Sequence, residues 1–131
     1  MMNPIDKTML KSEVSELSIL LIDILNRGKD VDPVRLSALT PEQWKKFLAV
    51  AAHQRVTPLV FYRLKKKGLD QAVPSDVCAS LKNVYQQNII RIMKISGQSR
   101  RVLKALNSAG IPTIALKGVV MANSIYKSIG L

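Results

Sequence analysis

The run Leu116-Lys117-Gly118 holds the residue types whose spacing can do chemistry. It follows a short, β-branched stretch, Ile111-Pro112-Thr113-Ile114-Ala115-Leu116, and precedes residues 119–128, which read as a helix. A glycine after a strand lets backbone N–H groups approach an anion closely, and the positive end of the next helix points at the same place. Lys117 adds a full positive charge, so the chemistry on offer is the holding of a phosphate. The same strand–Gly–helix turn also serves as plain α/β architecture. No Gly-x-x-x-x-Gly-Lys-Ser/Thr is present, so the turn is not a P-loop.

Other reactive side chains read as structural. The one histidine, His53, lies near an expected helix end beside Gln54 and Arg55 and reads as a capping or surface residue. The one cysteine, Cys78, can form no internal disulfide and reads as a small buried hydrophobe. No Cys/His cluster has zinc spacing, and no serine sits in a nucleophile elbow. Asp23, Asp30, Asp32 and Glu42 read as helix or cap residues. Trp44 with Phe47 reads as core, and three Tyr and two Phe are too few and too scattered to stack single-stranded bases. No catalytic residue and no metal ligand is assigned within the chain.

The chain leading to Lys117 and Gly118 reads as mostly helical. Leu10, Val14, Leu17, Leu21 and Ile24 recur at three and four residues and predict a helix over about 6–25, closed by Asn26 and Gly28. Asp32-Pro33 opens a short helix to about residue 39. Thr40-Pro41-Glu42-Gln43 carries a capping box and starts a helix to about residue 54. Thr57-Pro58 repeats the device as a further cap, and that helix ends where Lys65-Lys66-Lys67-Gly68 sets cations at its negative end. Residues 75–109 form the main scaffold. Val77, Leu81, Val84, Tyr85, Ile92, Ile95, Val102, Leu103 and Leu106 fall in one stripe, with Lys82, Lys94, Arg100, Arg101 and Lys104 opposite. Gly97 is its weak point, a place for a bend or a break. Largely buried positions are expected at Trp44, Phe47, Leu48, Leu59, Leu81, Tyr85, Ile92, Leu103 and Leu106.

After Gly110 the period changes, and residues 111–116 read as a single β-strand with Pro112 at its beginning. The fold class expected is mainly α: a multi-helix region over 1–109 with one long helix, then over 110–131 a strand and helix that begin an α/β domain. One strand has no ladder partner, so self-association through 111–116 is expected.

Composition bounds the partners. In 131 residues, 47% are hydrophobic and 22% charged, which excludes a disordered chain. The longest apolar-rich run, 17–25, is too short for a membrane span, and 1–11 lacks a secretory cleavage pattern. A cytoplasmic protein with no membrane partner is expected. Residues 1–40 hold five basic and six acidic side chains, a net of −1, while 41–131 hold fifteen and three, a net of +12. No carboxylate follows Asp76, whereas eight Lys or Arg do. Such a stretch attracts phosphates, nucleic acid or other polyanions.

A family resemblance rests on Ala109-Gly110-Ile111-Pro112-Thr113-Ile114-Ala115-Leu116-Lys117-Gly118 with Ala122 and Tyr126. This run resembles the signature of a bacterial nucleotidyltransferase-like family long labelled uncharacterised. Upstream, Trp44, Phe47, His53, Val56, Pro58, Leu59 and the long helix fit the same pattern, so the resemblance spans about 17–131. It implies that the glycine turn cradles nucleotide phosphates. It also implies an Asp-x-Asp or Asp-x-Glu pair on the next strand that binds two Mg²⁺, aligns an attacking hydroxyl with the α-phosphate of an NTP and stabilises leaving pyrophosphate. Carry-over onto this sequence reaches Lys117 and Gly118 as nucleotide-phosphate-binding residues. Val119 stands where the family has a second small residue, and the carboxylate strand would begin after Tyr126. The expectation is therefore an N-terminal segment truncated before its metal site and inactive alone, with Mg²⁺ and NTP implied only for a full-length relative. The alternatives are a stand-alone basic helical module that binds nucleic acid or another polyanion, and an interaction scaffold built on the long helix.

Overall fold

The computed structural model describes residues 3–115, and within them the architecture is helical. Five α-helices follow one another: α1 Pro4–Leu25, α2 Pro33–Ser37, α3 Pro41–His53, α4 Thr57–Lys66 and α5 Ser75–Ser108, with a short 3₁₀ turn Asp70–Ala72 before α5. Local chemistry explains the starts. Val34 N donates to Asp32 Oδ1 at 2.9 Å, which caps α2. At α3 the capping box is complete: Gln43 N donates to Thr40 Oγ1, and Thr40 N donates to Gln43 Oε1. Thr57, expected as a cap, is instead the first helical residue of α4, and Val56 holds the cap position without a side-chain hydrogen bond.

The reason lies in how α3 ends. Arg55 N donates to Ala52 O and Val56 N to Ala51 O, with Arg55 at φ 57°. This is a Schellman turn, in which a left-handed residue closes the helix. It consumes Arg55 and delivers the chain into α4 one residue earlier than the sequence suggests. The same turn closes α4 at Gly68 (φ 66°) and α5 at Gly110 (φ 71°). At those two places glycine adopts the left-handed conformation without a Cβ penalty.

The chain divides into two units, Met1–Lys82 and Asn83–Leu131. In the first, α1 packs on α3 and α4, α3 packs on α4, and α2 meets the 3₁₀ turn. Its core draws Leu17, Leu20, Leu21 and Ile24 from α1, Leu36 from α2, Trp44, Phe47 and Ala51 from α3, and Val60, Phe61 and Leu64 from α4. Leu69, Val73, Val77 and Leu81 close it. The Trp44 and Phe47 rings meet edge to face, 5.4 Å between centroids at 81°, a geometry that aligns a positive ring edge with a negative face. Leu48 and Leu59, expected in the core, are half-buried, and Val14 of the expected α1 stripe is exposed. Val14 lies before residues 17–24, where the buried side chains of α1 are clustered.

In the second unit α5 continues unbroken through Gly97. One interior glycine costs about 1 kcal/mol against alanine, too little to break a ladder of 34 residues. Tyr85, Ile92 and Leu106 are half-buried and Leu103 is exposed, not largely buried as the stripe suggests. Burial needs a second element, and among the described residues of this unit α5 is the only helix. The strand expected over 111–116 is not seen: residues 111–115 carry no strand pairing. A ladder needs a partner, and no other strand exists among the described residues. Leu116 and the helix expected over 119–128 lie outside the described residues.

Candidate functional site

The described residue run that leads toward the Lys117-Gly118 motif begins at the C-terminal end of α5. Gly110 N donates to Asn107 O and Ile111 N to Leu106 O, which ends the helix and fixes where the next segment begins. Residues 111–115 are exposed, and Thr113 Oγ1 donates to Ile111 O at 3.1 Å. Lys117 and Gly118 lie outside the described residues, so the described geometry stops two residues short of them.

The structure spreads the remaining reactive side chains apart. His53 is exposed at the end of α3, Cys78 is half-buried on α5, and Glu42 is exposed in the first turn of α3. Asp32 is the α2 cap, as its sequence context predicts. Asp23 is 5% exposed and receives two cations, Lys29 Nζ at 2.6 Å and Arg35 Nη1 at 2.9 Å. The Lys29 hydrogen bond first, and the Arg35 one next, hold its carboxyl below the ordinary value. Lys65 does the same for Asp70, and Asp70 in turn raises Lys65. Glu13 pairs with Lys46 at 2.6 Å. Among the described residues no group of three His, Cys, Asp or Glu can hold a metal ion, and no helix is long and apolar enough to cross a membrane.

Two features are not legible from the sequence motifs. Lys67 Nζ donates to three backbone carbonyls at the end of α1 and beyond: Asp23 O at 3.2 Å, Asn26 O at 2.7 Å and Lys29 O at 2.5 Å. The cation thereby satisfies carbonyls that a helix end leaves without partners and ties α4 to α1. Read from sequence, Lys67 is one of three cations at a helix end, and nothing separates it from Lys66. Lys66 instead stands 5.8 Å from the Tyr62 ring centre, which Arg63 also approaches at 5.7 Å. The second feature is the left-handed Arg55 between His53 and Val56. An expected helix end without glycine or asparagine is the signal that points to it.

The model of the uncharacterised nucleotidyltransferase family matches residues 40–131. The chain belongs to that family. The match begins at Thr40, the cap of α3, and takes in α3, α4, α5 and the sequence Lys117-Gly118; α1 and α2 lie outside it. No curated protein and no solved structure matches the chain.

Proposed function

We propose that the chain supplies the helical part and the phosphate-holding turn of a nucleotidyltransferase, an enzyme that moves a nucleoside monophosphate from an NTP to an acceptor. The observation that carries this reading is the family match over 40–131, which includes the motif from Gly110 to Gly118. In the proposal, residues 1–109 frame the substrate side, and 110–131 begin the α/β domain. Backbone N–H groups at Gly118 and the ammonium of Lys117 hold the nucleotide's phosphates. The setting proposed is cytoplasmic.

The Mg²⁺ pair of the family's chemistry does not fit the described residues. Asp23, Asp32 and Asp70 are engaged by Lys29 and Arg35, by the α2 backbone and by Lys65. Mg²⁺ requires hard oxygen ligands fixed beside the phosphate, and no carboxylate follows Asp76 in the sequence. The proposal therefore assigns these 131 residues nucleotide holding without turnover. The test is incubation of the purified chain with labelled triphosphates, Mg²⁺ or Mn²⁺ and candidate acceptors. The expected result is no pyrophosphate release. Release that survives repurification and is lost in Gly118→Ala refutes the assignment.

A further inference from the structure

From Val84 to Leu106, α5 carries an apolar stripe that the described residues leave open. Val84, Ile95, Val102 and Leu103 are 40%, 41%, 58% and 36% exposed, and Ile92 and Leu106 on the same stripe are half-buried. At about 3.6 residues per turn these six share one face. Arg91 borders the stripe on one side; Arg100, which the sequence pattern groups with the opposite cations, stands about 60° from Leu103 around the helix and so borders it on the other, and both are exposed. Residues 83–115 hold five cations, Arg91, Lys94, Arg100, Arg101 and Lys104, and no carboxylate. None of the five forms an ion pair among the described residues.

We propose that this stripe is a docking surface for an amphipathic polypeptide helix whose flanks are acidic. Helix-in-groove recognition reads apolar anchors at helical spacing, and charges beside the seam choose the partner. Arg91 and Arg100 occupy those flanking positions and call for Glu or Asp opposite. Charge argues against the other occupants. A second copy of α5 would bring arginines and lysines against their own kind with no carboxylate between them. A nucleic-acid duplex would meet the cations and leave the stripe in water. A lipid surface would take up the apolar side chains together with Ser96 and Ser99, which lie within the stripe and suit the close approach of another helix. The docking surface rests only on the stripe and its flanking charges and does not depend on nucleotide binding at Lys117 and Gly118.

The experiment uses the 131-residue chain and fluorescent three-heptad peptides with Leu at a and d and either Glu or Lys at e and g, followed by anisotropy at low salt. The expected result is binding of the Glu peptide at least tenfold tighter than the Lys peptide, weakened by salt. Val102→Glu with Leu103→Glu should weaken it at least tenfold, with the helical circular dichroism retained. Arg91→Glu with Arg100→Glu should reverse the preference between the two peptides. Equal affinity for both peptides, or binding unchanged by the stripe variant, overturns the proposal. So does displacement of the Glu peptide by phosphatidylserine vesicles or by an RNA duplex.

Discussion

Arg55→Gly should stabilise the first unit. Three helices end in the same Schellman turn; two place glycine at the left-handed position, and α3 places Arg55 there at φ 57°. A residue with a Cβ loses about 1–2 kcal/mol in that conformation. Glycine returns that energy but gives up about 0.5–1 kcal/mol through its larger freedom in the unfolded chain. At the middle of both ranges the difference is a gain of about 0.75 kcal/mol. For a unit of this size that is a rise of about 3–6 °C in Tm. The reverse change supplies the control. A Cβ at Gly68 meets nothing within 4 Å, so Gly68→Ala tests the left-handed backbone alone and should lower stability by a similar amount. Thermal melts and urea unfolding followed by circular dichroism measure both. An unchanged or lowered Tm for Arg55→Gly, alongside a lowered Tm for Gly68→Ala, would overturn this prediction, because the Arg55 side chain would then contribute more than the strain costs.

Phe47 is fully buried against Trp44, so Phe47→Ala should cost about 3–5 kcal/mol in urea unfolding, a large share of the about 4–12 kcal/mol available to 82 residues. Asp23 has its carboxyl held below 3.8 by Lys29 and Arg35. Its contribution to stability is therefore present above the unfolded value and lost as pH falls through the lower folded one; the gap between wild type and Asp23→Asn should be full at pH 7 and close below pH 3.8. Gly97 has no heavy atom within 4 Å of an added Cβ, so Gly97→Ala should strengthen α5 by about 1 kcal/mol, read as slower amide exchange around residue 97.

The sequence discloses the helices because their signals are local. The Thr40 capping box, the Asp32-Pro33 start and the Gly68 and Gly110 stops each act within a few residues, and the structure has them all. The core of the first unit follows from the same periodicity, with Trp44, Phe47 and Leu81 buried as expected. The stripe on α5 is equally visible in sequence, but periodicity reports which face is apolar and not what covers it; hence Leu103 is exposed. Long-range polar contacts are hidden for a related reason. Lys67 reaches backbone carbonyls 38 to 44 residues away, and carbonyls carry no residue identity. Asp23 gives a partial signal, a carboxylate between Ile22 and Ile24 in an apolar run, but its partners six and twelve residues on do not follow from spacing. Of the candidate site, the motif through Ala115 is described, and Lys117 and Gly118 remain a reading of sequence and family.

The proposed holding of nucleotide phosphate at Lys117 and Gly118 is measured by equilibrium dialysis with labelled ATP. Wild type and Lys117→Ala are compared with and without Mg²⁺, over a range of salt. The expected result is weak, metal-independent binding that salt reduces and that Lys117→Ala lowers several-fold. Equal binding by wild type and Lys117→Ala, or binding that appears only with Mg²⁺, would contradict it.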